Sequence, residues 1–135
     1  IFGLKNTFSL TVVLYIAICV LHQAIQPSLY NSGLLIWHSV YAVTDFLYVF
    51  IVFFAHDLFK IKFCKLSGFV VFGFIVLGFL QVVGYLDRAV FGHDYLVDAY
   101  PAIIVSINLT TTIAIVLFSA ISAGYALVQF LKRIL

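Results

Sequence analysis

Residues 34–58 read LLIWHSVYAVTDFLYVFIVFFAHDL. As one helix rising 1.5 Å per residue, this stretch is long enough to cross the roughly 30 Å hydrocarbon core of a bilayer. It is not uniformly oily. His38, Tyr41, Asp45 and Tyr48 recur at spacings of three, four and three, which puts them on one side of a helix. Asp45 falls near the middle of the apolar run. A carboxylate at that depth costs several kcal/mol unless it is neutralised or paired. The rest of the chain is therefore expected to supply it with polar company.

The composition agrees with a membrane setting. The 135 residues are 65% hydrophobic and 9% charged, against roughly a quarter charged in a soluble domain. A water-exposed surface cannot be built from that inventory. The length fits one domain, and residues 1–135 are read as a single transmembrane domain. The fold class is all-α: a polytopic, four-transmembrane-helix antiparallel bundle. Its helices are expected at about 8–26, 34–58, 66–87 and 100–131.

Working outward, Asn6 or Thr7 can cap the first helix and Pro27 marks its end. PSLYNSG, residues 27–33, reads as a tight turn. The first two helices then form a hairpin. FKIKFCK, residues 59–65, follows the second helix with three lysines beside His56 and Asp57. That group marks a membrane interface, where lysines meet anionic headgroups or an acidic partner. The third helix carries Gly68, Gly73, Gly78 and Gly84, which let helices approach closely. Residues 88–99 form the largest connection, with Arg88, His93, Asp94 and Asp98. Tyr95 and Tyr100 suit the headgroup zone. The fourth helix is longer than a span requires and is expected to tilt, project or break. Ser106, Asn108, Thr110, Thr111 and Thr112 make its first half polar. Ala120 and Gly124 form a small-xxx-small pair in its second half. The Asn108-Leu109-Thr110 glycosylation pattern is discounted because it lies within that helix.

Basic residues set the expected orientation. Lys5, Lys60, Lys62, Lys65, Lys132 and Arg133 fall on one side of four spans, and Arg88 alone on the other. Both ends of the chain are therefore expected on the cytoplasmic side, or the matrix or stromal side in an organelle. An initiator residue is expected to have preceded Ile1, since the chain contains no Met. The first apolar segment is too long for a typical signal peptide core, and no cleavage pattern follows it. Cys19 and Cys64 are expected on opposite sides of the membrane, and neither belongs to a CxxC pair.

Two constellations could carry chemistry. His22 and His38 each lie about a turn from the hairpin, at similar depth. Two such imidazoles could ligate a haem b iron, hold a metal, or exchange protons with a quinone. The plainer role is that of interfacial anchors. The second constellation is Asp45, with Tyr41, Tyr15, Gln81, Asn108 and Thr112 as candidate members of a proton-handling or polar network. Its plainer role is hydrogen-bonded packing. His93, Asp94 and Asp98 fit no metal signature and read as loop surface. Gln81, Tyr85, Asp87 and Arg88 read as an interfacial end to the third helix.

Much is excluded. No basic stripe points to nucleic acid. There is no HExxH, no GxSxG and no phosphate-binding glycine loop. Loops this short hold no soluble catalytic domain. The expected partners are lipids and other integral membrane subunits. The leading expectation is a small accessory subunit, not catalytic by itself, of a respiratory, photosynthetic or oxidase-type membrane complex. The alternatives are a cytochrome b-like haem or quinone anchor using His22 and His38, and a small proton or ion transporter centred on Asp45.

Overall fold

The computed structural model describes residues 7–92, 95, 96 and 98–134. Lys5, Asn6, His93 and Asp94, which the sequence analysis singles out, lie outside the described residues. The described residues form no strand. Four helices dominate: α1 (Thr7–Leu29), α2 (Leu34–Leu58), α3 (Lys65–Tyr85) and α4 (Ala99–Ile134). Each is long and apolar enough to cross a membrane. Their outward faces carry large apolar side chains, such as Phe50 at 65% and Phe72 at 64% exposure.

The helix ends follow local chemistry. α1 runs through Pro27 to Leu29 instead of stopping before the proline. Proline has no N–H to give the Gln23 carbonyl, so it removes one rung of the ladder, and the helix ends two residues later. Ser32 then donates from its hydroxyl and its backbone N–H to the Leu29 carbonyl, at 2.7 and 3.0 Å. Gly33 starts α2 at φ 85°, ψ 158°, a region that side chains resist. α2 closes with a Schellman motif. Ile61 N–H reaches the His56 carbonyl at 2.9 Å, and Lys60 N–H reaches Asp57 at 3.0 Å. Lys60 holds the left-handed position of that motif at φ 51°, where glycine is usual. The Cys64 thiol caps α3 by accepting the Ser67 N–H at 3.4 Å. α3 ends in a π-helical turn, Leu86–Val90, closed by Phe91 N–H to the Leu86 carbonyl at 2.9 Å. Asp87 then accepts the Leu96 N–H at 3.1 Å and folds the connection back towards α4.

Packing divides into two zones. At the end bearing Lys65, the core is dry. Tyr15, Ile18, Tyr48, Val52, Leu66, Val70, Val71, Phe74 and Ile115 form one buried cluster. Tyr48 packs on Phe74 with ring centres 4.1 Å apart, and Tyr15 meets Phe74 edge-on at 6.1 Å. Thr11 of α1 and Ser67 of α3 hydrogen-bond at 2.6 Å beside it. The other end, near the α1–α2 turn, is looser and polar. α2 and α3 share the most extensive interface. α4 packs mainly on α3, and beyond Ile115 every residue with a described side chain is exposed except Ser119, which is half-buried.

Candidate functional site

The polar face of α2 meets the other helices in the looser zone. His38 and Asp45 are 3% and 2% exposed and Tyr41 is half-buried, while Tyr48, 2% exposed, belongs to the apolar cluster at the other end. A cavity of about 380 Å³ opens beside Asp45. α1 contributes His22 and Gln26 to its wall, α2 Trp37, Tyr41 and Asp45, and α3 Leu77 and Gln81. α4 contributes Tyr100, Pro101, Ile104, Val105 and Asn108. All four helices therefore converge on it. Among the expected network members, Tyr41, Gln81 and Asn108 share this cavity with Asp45. Tyr15 and Thr112 pair with each other at 2.7 Å and do not line it.

Proton positions follow from the partners. The Thr44 hydroxyl donates to the Val40 and Tyr41 carbonyls, both at 3.0 Å. Its proton is spent, so His22 Nε2–H donates to Thr44 Oγ1 at 2.8 Å. The same nitrogen lies 3.7 Å from Asp45 Oδ1. That is ion-pair range but too long for a hydrogen bond. Oδ1 itself is buried and has no hydrogen-bond partner. His22 also stands edge-on to Tyr41, with ring centres 5.1 Å apart.

His38 belongs to a different group. Gln81 Oε1 accepts from the Tyr100 hydroxyl and from His38 Nδ1, the latter at 3.0 Å. Nδ1 therefore carries the proton, and Nε2 presents a bare lone pair. That nitrogen is buried and unpartnered. Gly84 makes this cluster possible. A Cβ there would lie 2.9 Å from Tyr100 Cε2 and 3.3 Å from His38 Cε1. Arg88 sits over the Tyr100 ring, 5.9 Å from its centre. His38, Arg88, Trp37 and Tyr100 also line a cleft of about 410 Å³ next to the α1–α2 turn.

The two histidines are thus held by separate partners. The cavity beside His22 is not lined by His38, and the clefts lined by His38 are not lined by His22. To ligate through Nε2, His22 would give up its bond to Thr44. No group of three or more His, Cys, Asp or Glu side chains able to hold a metal occurs among the described residues. Neither Cys19 nor Cys64 forms a disulfide among the described residues.

Sequence reasoning missed three cavity residues or supports. Tyr100 was expected at the headgroups, yet its hydroxyl turns inward to Gln81. Thr44 precedes the key acid and bonds His22. Trp37 adds an aromatic wall. Only the tertiary arrangement brings them together, although Thr44 and Asp45 being adjacent to a shared histidine is a signal that helix pairing could have exposed. The chain matches no protein family, no curated protein and no solved structure.

Proposed function

We propose that the chain is an integral membrane protein with both ends on the cytoplasmic side, or the matrix or stromal side of an organelle. Its four helices form an antiparallel bundle, and its Asp45 cavity holds a proton or small cation within the bilayer. The opposite-running contacts of α2 with α3 support the bundle: His38 with Gln81, and Tyr48 with Phe74. The six-to-one distribution of basic residues supports the orientation. The single observation that carries the function is the Asp45 carboxyl. It is almost fully buried, with an unpartnered oxygen, on a cavity wall to which every helix contributes. An ionisable group within a span, facing a cavity, marks an ion or proton path by default.

The test is proton uptake into liposomes carrying the purified chain and an internal pH dye, driven by a potassium diffusion potential. Uptake above that of empty liposomes is expected, lost in Asp45→Asn and kept in Asp45→Glu. Equal uptake by wild type and Asp45→Asn would refute the reading.

A second reading is favoured by α4. Its exposed stretch beyond Ile115 has no partner helix among the described residues over most of its length. That supports a role as an accessory subunit packed against other integral subunits of a respiratory, photosynthetic or oxidase-type complex. The mass of the particle extracted from native membranes in mild detergent decides it. Stoichiometric companion subunits are expected, and a particle of the chain's own 15.1 kDa would remove the reading.

A further inference from the structure

We propose that the ligand of the Asp45 cavity is the ammonium head of a lipophilic amine, which enters sideways from the bilayer between α1 and α4. This rests on the cation-site reading above and names its substrate class. Three features of the wall select that chemistry. Asp45 offers a buried carboxyl oxygen with nothing bonded to it. An alkylammonium brings the opposite charge and three hydrogen-bond donors to such an acceptor. Trp37, Tyr41 and Tyr100 line the same cavity. Aromatic faces attract ammonium groups, and do so more strongly away from water. Ile104 and Val105 are apolar and suit a hydrocarbon tail. The volume of about 380 Å³ lies at the low end of the range for small-molecule pockets. A quinone is uncharged and brings no opposite charge to the carboxyl.

The route follows from what closes the cavity and what does not. The Tyr15–Thr112 hydrogen bond ties α1 to α4 on the side towards the dry core. Beyond it the two helices have little direct contact. Gln26, Val105 and Asn108, all exposed, rim the gap between them. The alternative approach, from the α1–α2 turn, passes the Arg88 guanidinium in the neighbouring cleft. A fixed positive charge there opposes a cation. The sideways gap carries no basic side chain among its wall residues other than His22, whose Nε2–H is engaged by Thr44.

Trp37 is the chain's one tryptophan and lines the cavity, so its emission reports occupancy. The probes are n-octylammonium and n-octanol, which share a tail and differ in charge. Both are titrated into the purified chain in zwitterionic nanodiscs. The expected result is a saturable Trp37 response to n-octylammonium at about tenfold lower concentration than to n-octanol. Asp45→Asn should weaken the n-octylammonium response about tenfold and leave that to n-octanol unchanged. If Asp45→Asn loses its helical circular dichroism, charge dependence is read on the wild type. There n-octylammonium should raise the thermal midpoint, and n-octanol at the same concentration should not. Equal responses or equal midpoint shifts with the two probes overturn the proposal. So does a folded Asp45→Asn that keeps wild-type affinity for n-octylammonium, or a short-chain benzoquinone that saturates the response at lower concentration. Asp45-dependent proton uptake without any preference for n-octylammonium removes the amine and leaves the cation site standing. Loss of Asp45-dependent uptake as well removes both.

Discussion

Replacing Gly84 with Ala places a methyl group between two rings that the site needs. The added Cβ would lie 2.9 Å from Tyr100 Cε2, 3.3 Å from Tyr100 Cδ2 and 3.3 Å from His38 Cε1. Neither ring is free to yield. His38 is 3% exposed and bonded to Gln81, and the Tyr100 hydroxyl bonds the same Gln81 oxygen. Overpacking of this kind costs about 1–3 kcal/mol. Alanine inside a helix returns about 0.5–1 kcal/mol relative to glycine. The balance is destabilising, centred on roughly 1 kcal/mol and reaching about 2.5 kcal/mol. Gly68→Ala is the control, because its Cβ meets only Phe63 Cε1, at an ordinary 3.7 Å. That change should be neutral or slightly stabilising. Unfolding in mixed micelles by graded SDS, followed by far-UV circular dichroism, measures both. Trp37 emission should also shift in Gly84→Ala, since Trp37 and Tyr100 line one cavity. A Gly84→Ala protein as stable as wild type, or Gly68→Ala destabilised as much, would refute the packing argument.

Other expectations concern single contacts. Lys60→Gly relieves a left-handed residue at the end of α2 and should stabilise the chain by about 1 kcal/mol in the same SDS titration. Cys64→Ser substitutes a better acceptor at the α3 cap and should be neutral or stabilising, whereas Cys64→Ala should cost about 0.5–2 kcal/mol. Tyr15→Phe deletes the donor that joins α1 to Thr112, and should cost about 0.5–1.5 kcal/mol and speed n-octylammonium entry in stopped-flow Trp37 emission. Leu117→Ala, on the exposed part of α4, should change the stability of the isolated chain by no more than about 0.5 kcal/mol. If His22 and His38 hold haem, the purified chain will show a Soret band that His38→Ala abolishes, and a chain without that band argues against ligation.

Periodicity carried much of the architecture. Four apolar runs of spanning length are legible because outward-facing and buried side chains are both hydrophobic, so each helix stands out whole. The spacing of His38, Tyr41, Asp45 and Tyr48 is legible for the same reason, as four polar groups interrupting one run. Gln81 and Asn108 stood out as polar residues in apolar segments, and both line the cavity with Asp45. What the sequence hid was which polar group meets which. Tyr15 and Thr112 read as candidate polar partners of Asp45, but side-chain reach pairs them with each other. Tyr100 resembled an ordinary interfacial tyrosine until the π-helical turn and the Asp87–Leu96 bond brought the start of α4 back over α3. The continuation of α1 past Pro27 runs against a common stop signal that the sequence alone does not qualify.

The order in which the walls of the cavity appear also matters. A chain is made from its N-terminus, and domains assemble as their parts emerge. His22, Asp45 and Gln81 are all synthesised before Tyr100 and Asn108, which lie on the last helix. Until the last helix is made, only three of the four helices that wall the acid exist, and α4 adds the fourth wall. A nascent chain stalled before residue 99 would lack that wall and leave the carboxyl exposed on that side.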